Sequence, residues 1–227
     1  MPIVSLIARP GALDPALVEA LRNATGGGDA VWRSPDEAAE FPVAVAPTNF
    51  GEIRVSLRDE VDLNLLPGGP RAKKMLLADM DSTMIQQECI DELADVAGVG
   101  DRVKAITARA MNGELDFDGA LTERVALLKG LPVSVIDRVV AERITLMPGG
   151  PVLLATMKAQ GAYAALVSGG FTAFTSRVGA MLGFDETQAN TLDVAEDRLT
   201  GTVAPPILGR DAKVAALETI TARLGLT

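Results

Sequence analysis

The chain has 227 residues, 48% of them hydrophobic, and its 30 acidic side chains outnumber its 21 basic ones for a net charge of −9. That composition is globular, long enough for one or two domains with a sizeable core, and it offers no basic block for nucleic acid or an anionic membrane surface. Histidine is absent and cysteine occurs once, at Cys89, which excludes Ser–His–Asp and Cys–His catalysis, histidine- or thiolate-bound zinc and an internal disulfide framework. Hydrolytic chemistry then falls to carboxylates, with an oxygen-loving cation such as Mg²⁺. The single cysteine points to a reducing, cytoplasmic setting. No stretch approaches the ~20 apolar residues of a spanning helix, and the N-terminus does not read as a signal peptide.

Residues 1–70 read as a small α+β module. Ile3–Ala8 is a short strand. Asp14 caps a helix that Pro15 opens, and Gly26-Gly27-Gly28 breaks it. Val43–Val45 and Ile53–Leu57 are expected as strands, the second because its apolar residues alternate. Pro67-Gly68-Gly69-Pro70 reads as a linker. A second domain, residues 71–227, opens with the apolar strand Met75–Ala78. Residues 84–146 read as four helices, the first built on Ile85, Cys89, Leu93 and Val96. After Pro148-Gly149-Gly150 comes a helix, then the strand Ala162–Val167, then a helix over Phe171–Leu182. Residues 190–204 read as a hairpin around Glu196-Asp197, and a last helix starts near Asp211. Alternating strands and helices argue for a parallel α/β sheet, with the four-helix block inserted as a cap.

Three short motifs fall at strand ends. Asp79 and Asp81 follow the first strand of the second domain, and strand alternation sends both to one side with Met80 opposite. Ligands of a parallel α/β sheet bind beyond the strands' carboxyl ends. There, a carboxylate pair can share a cation or divide attack from proton transfer. The same residues also read as an acidic turn capping the next helix. Ser168-Gly169-Gly170 sets a hydroxyl and bare backbone N–H groups at a helix start, which suits phosphate, although such a triplet also makes an ordinary turn. Lys213 stands early in the last helix, where a lysine is otherwise a solvated surface residue.

Together, "DMDST", "VSGGF" and the "AK" of the last helix resemble the haloacid dehalogenase (HAD) superfamily of phosphatases. The cap sequence from Asp81 to Pro132 carries the resemblance to the phosphoserine phosphatases within it. It covers residues 72–224 and implies a Rossmann-like parallel sheet with an inserted helical cap at about 84–146. Residues 1–70 match loosely the ACT-like α+β module that family members often carry. The resemblance implies Asp79 as nucleophile, becoming an aspartyl phosphate, and Asp81 as general acid and base. It implies Mg²⁺ held by the Asp79 carboxylate and the Asp81 carbonyl. Ser168, Gly169 and Lys213 would hold the phosphoryl oxygens. Glu88 would read the substrate ammonium and Arg124 its carboxylate, with Met111 and Phe117 closing over the site. The implied substrate is phosphoserine, with neither nucleic acid nor membrane as partner and a homodimer as the assembly to test. The family's Gly-Asp-Gly-x-Asn-Asp motif, which supplies a further metal ligand, does not occur in the chain. Truncation before that motif is therefore expected, with weak activity and self-association as its consequences.

Overall fold

Asp14 accepts a hydrogen bond from Ala16 N at 2.8 Å, so α1 (Pro15–Ala24) begins where its cap and proline dictate. This computed structural model describes residues 1–226 and divides into two units after Arg71. In the first unit β1 (Ile3–Ile7) pairs antiparallel with β3 (Ala38–Pro42) on one side and β4 (Asp62–Leu66) on the other. β2 (Val31–Ser34) extends the sheet beyond β3, giving the order β2-β3-β1-β4. With α1 and α2 (Phe50–Leu57) this is a βαββαβ unit. Val4, Leu6, Ala39, Phe41 and Leu63 of the sheet bury against Val18 and Leu21 of α1, with Ile53 and Leu57 of α2 packed on the same cluster.

Two strand expectations fail here. Residues 53–57 lie in helix α2, and the strand comes later, as β4. Ile53, Val55 and Leu57 satisfy an alternating pattern, but Val55 is 63% exposed while Ile53 and Leu57, four apart, reach the core. The core therefore selects the helical period. The run Val43–Val45 is not a strand either: β3 stops at Pro42, Val43 N bonds back to Pro2 O, and Val45 is exposed. On the interior strand β3, Glu40 is gripped by both guanidinium nitrogens of Arg71 at 2.8 Å and by Arg33 Nε at 2.8 Å. The Arg71 bonds lead in holding its carboxyl down at about 2, against an opposing burial cost.

In the second unit β5 (Met75–Ala78), β6 (Tyr163–Phe171) and β7 (Glu186–Ala195) run parallel, and β8 (Arg198–Ala204) returns antiparallel to β7. The β7–β8 turn carries Glu196 and Asp197 in the left-handed region, at φ of 50° and 58°, as a tight hairpin requires. Alternate residues of β6 serve opposite faces. Ala165 and Val167 pack with Ala216 and Ile220 of α9 (Ala212–Leu224), whereas Leu166 packs with Phe174 and Val178 of α8 (Thr172–Leu182). Such two-sided cover is what a parallel sheet needs. Between β5 and α7 (Gly150–Ala159) stand four helices: α3 (Cys89–Val96), α4 (Gly100–Met111), α5 (Phe117–Ala126) and α6 (Ser134–Glu142). Their inward residues Leu93, Val103, Leu121, Val125 and Val139 join one apolar cluster with the α8 face of the sheet. The first cap helix starts later than its apolar spacing suggests. Residues 79–88 are a tight turn in which the Met80 carbonyl accepts from Thr83, Met84 and Ile85, and Ile85 bridges to Leu146. No helix among the described residues is long and apolar enough to cross a membrane.

Candidate active site

β5 ends at Ala78, so Asp79 is the first residue past its carboxyl end. Asp79 Oδ1 accepts from Met80 N at 2.8 Å, and Oδ2 is ion-paired with Lys213 Nζ of α9. Met80, between the two aspartates, is fully buried in the core. Asp81 Oδ1 accepts from Cys89 N, the first residue of α3, at 3.2 Å. Burial is the main cause that pushes the Asp81 carboxyl up to about 6. Bonds from Cys89 oppose that rise, and the nearby charges of Glu88 and Asp79 add to it. Burial likewise raises the Cys89 thiol, helped by the Asp81 charge, so this cysteine stays protonated and unreactive.

Opposite the two aspartates, β6 delivers Ser168, Gly169 and Gly170. Ser168 is buried and its Oγ accepts from Gly170 N at 2.9 Å. Gly170 is needed here, because a Cβ on it would lie 2.6 Å from Asp81 Oδ2. A Cβ on Gly169 would sit 3.0 Å from the ring of Phe117, the first residue of α5. Asp116 caps that helix by accepting from Gly119 N at 2.8 Å, which sets where Phe117 enters. Glu88 precedes α3, and its Oε1 accepts from Ser82 Oγ at 2.6 Å. Ser82 holds a left-handed φ of 51°, unusual for serine. Arg124 of α5 anchors its Nε on Ala120 O at 3.1 Å; burial lowers its pKa, while the charges of Asp91 and Glu88 favour its cation.

Asp79, Asp81, Glu88, Phe117, Arg124, Ser168, Gly169 and Lys213 all line one cavity of about 310 Å³. Met111 does not: it ends α4 and is 84% exposed, away from the cavity lining. Two features escape the sequence reading. Arg210, just before α9, also lines the cavity; the signal was a second cation three residues before Lys213. Asn190 of β7 is buried and donates Nδ2 to Gly169 O at 2.9 Å and to Leu208 O at 3.2 Å, while its Oδ1 accepts from Leu208 N at 2.7 Å. One amide thus ties the Ser168–Gly170 segment to the loop leading into α9. A polar residue at an inward strand position was its faint sequence signal. Among the described residues, no group of three or more Asp, Glu, Cys or His side chains is placed to hold a metal ion.

The model of the haloacid dehalogenase-like hydrolases matches residues 76–227. The chain belongs to this family. The HAD assignment accounts for the parallel sheet, the carboxyl-end aspartates and the helices inserted after β5. A phosphoserine phosphatase of Archaeoglobus fulgidus is 41% identical over 195 residues, covering 83% of this chain and 56% of the relative. The chain thus spans about half the length of that relative. Among solved structures, a HAD family hydrolase from Salmonella enterica serovar Typhi superposes on the whole chain with a TM-score of 0.87, at 29% identity and 80% coverage of that structure. A substrate-bound phosphoserine phosphatase complex aligns with 70% of this HAD chain and 75% of its own, at a TM-score of 0.64 and 39% identity.

Proposed function

We propose that the chain hydrolyses O-phospho-L-serine to L-serine and phosphate through an aspartyl phosphate on Asp79. The observation that carries the reading is the convergence in one cavity of a lysine-paired Asp79, a half-buried Asp81 and the Ser168–Gly169 cradle. The Asp79 carboxylate attacks phosphorus, forming an O–P bond as the P–O bond to serine breaks. Asp81, with its carboxyl raised to about 6, hands its proton to the departing serine oxygen. As a carboxylate it then takes a proton from the water that attacks phosphorus and frees Asp79. Ser168 Oγ and the Gly169 N–H receive phosphoryl oxygens. Lys213 offsets negative charge as a dianion approaches a carboxylate. Glu88 and Arg124 form a complementary acid and base for an amino-acid head group, which favours phosphoserine over other small phosphate esters.

Mg²⁺ belongs to the same reading. It takes one or two carboxylates and fills the rest of its shell with water and substrate phosphate. The oxygen donors of Asp79 and Asp81 fit that demand, and the Asp81 carbonyl accepts no backbone hydrogen bond among the described residues. When bound, the cation would neutralise developing charge on the phosphoryl oxygens. A cytoplasmic setting is proposed with it, supported by the single, buried cysteine.

Phosphate release from L-phosphoserine, with and without Mg²⁺, tests the proposal. Asp79→Asn should abolish turnover and leave no acid-stable phosphoprotein. Arg124→Ala should raise KM for phosphoserine by about 10²-fold while moving an aryl phosphate far less. Equal losses on both esters would reject the amino-acid assignment, and full activity of Asp79→Asn would reject the mechanism.

A further inference from the structure

Arg210 is the cavity cation that the reaction above does not use. Lys213 is committed to Asp79, and Arg124 is anchored on the Ala120 carbonyl within reach of the Glu88 and Asp91 charges. Arg210 is exposed, lines the cavity and engages no acceptor among the described residues. Its root is nevertheless fixed. Both backbone polar groups of Leu208, two residues earlier, are held by the buried Asn190 amide. Ala212 N then bonds Gly209 O, and Ala215 N bonds Asp211 O, as the chain turns into α9. A free guanidinium on a fixed base thus stands three residues before Lys213, exposed where Lys213 is half-buried.

We infer that Arg210 captures the phosphoryl group of incoming substrate at the rim, before Lys213 and the Ser168–Gly169 cradle receive it. The charge balance of the site calls for such a group. The protein carries a net −9, and in the cavity Asp79, Asp81 and Glu88 outnumber Lys213 and Arg124, the cations other than Arg210. A phosphate dianion approaching them is repelled unless a local cation outweighs that field. A guanidinium suits this use because its fork matches two phosphoryl oxygens at once. Capture acts on the ester before chemistry begins, so it belongs to binding more than to the transition state.

This inference rests on the phosphatase reading, and its test separates the two. Kinetics on L-phosphoserine and p-nitrophenyl phosphate are compared for wild type, Arg210→Gln and Arg210→Lys, with inorganic phosphate as competitor. Arg210→Gln should raise KM for both esters, and the inhibition constant of phosphate, by about tenfold, with kcat within about twofold. Arg210→Lys should recover part of the loss, and the gap to wild type should narrow as salt screens the rim. An unchanged KM overturns the inference. So does a loss confined to phosphoserine, which would make Arg210 a reader of the amino-acid carboxylate, or a loss in kcat alone. If wild type turns over neither ester, the phosphatase reading falls by itself. Calorimetric binding of inorganic phosphate then decides the role of Arg210. Weaker binding by Arg210→Gln sustains it; equal binding, or none to either protein, overturns it.

Discussion

Gly170→Ala places one methyl group where it acts on a single carboxylate oxygen, Asp81 Oδ2. The added Cβ would lie 2.6 Å from Asp81 Oδ2, whereas ordinary contact begins near 3.4 Å. Asp81 must therefore retreat by about 0.8 Å, since the methyl's other neighbours, Ser168 Oγ at 3.1 Å and Met80 Cε at 3.3 Å, leave little room to turn aside. Retreat stretches an already long 3.2 Å bond from Cys89 N. Misplacing a proton-transfer group by about 1 Å costs on the order of 10² in rate, or about 2.7 kcal/mol of barrier. Backbone strain does not confuse the reading, because Gly170 is not among the residues with positive φ. The substitution also removes unfolded-state entropy, a stabilisation of about 0.4–1 kcal/mol that offsets some crowding. The expected result is a kcat about 100-fold lower with Tm shifted by only a few degrees. Steady-state phosphate release and a thermal melt measure both. A Gly170→Ala protein with kcat within about threefold of wild type would refute the claim that Asp81 must sit where it does.

Three further outcomes test other parts of the molecule. Asp81 titrates near 6 in the folded chain against 3.8 as its ordinary value; the folded state therefore holds a proton that the unfolded chain has released. The stability of metal-free protein should fall as pH rises from about 4 to 6, by at most about 3 kcal/mol. Denaturant titrations should show that fall in wild type and its loss in Asp81→Asn. Glu40, held at about 2 instead of 4.5, contributes stability above its ordinary value that is lost as pH falls through about 2. Arg71 and Arg33 are 31% and 55% exposed, so Glu40→Gln should cost the N-terminal unit about 2 kcal/mol at neutral pH, a gap that closes in acid. A methyl group added at Gly51, in α2, would meet nothing within 4 Å, and Gly51→Ala should raise that unit's melting temperature by about 3 °C through helix propensity.

The carboxyl-end aspartates, the Ser168–Gly170 triplet and Lys213 were legible because each is a short motif on or beside an apolar strand, or at a helix start. Strand and helix periods are local, so the parallel sheet and the cap could be read from them. Ile53–Leu57 misled because five residues satisfy two periods, and only burial of positions 53 and 57 separates them. Met111 was carried in by resemblance alone, and the structure leaves it exposed. Asn190 and Arg210 stayed hidden for a different reason. Their significance lies in partners 18 to 21 residues away for Asn190 and in the company of β5, β6 and the cap for Arg210. No local pattern encodes such meetings.

The Asn190 amide also bears on how this site can change over generations. It joins the carboxyl end of β6, at Gly169, to the loop that leads through Leu208 to Lys213. A substitution that shifts either segment shifts the other through the shared side chain. Changes tolerated singly in the Gly169 and Leu208 segments should therefore interact when combined. The strand end and the loop form one coupled unit, whereas α5 brings Phe117 and Arg124 to the cavity without that tether.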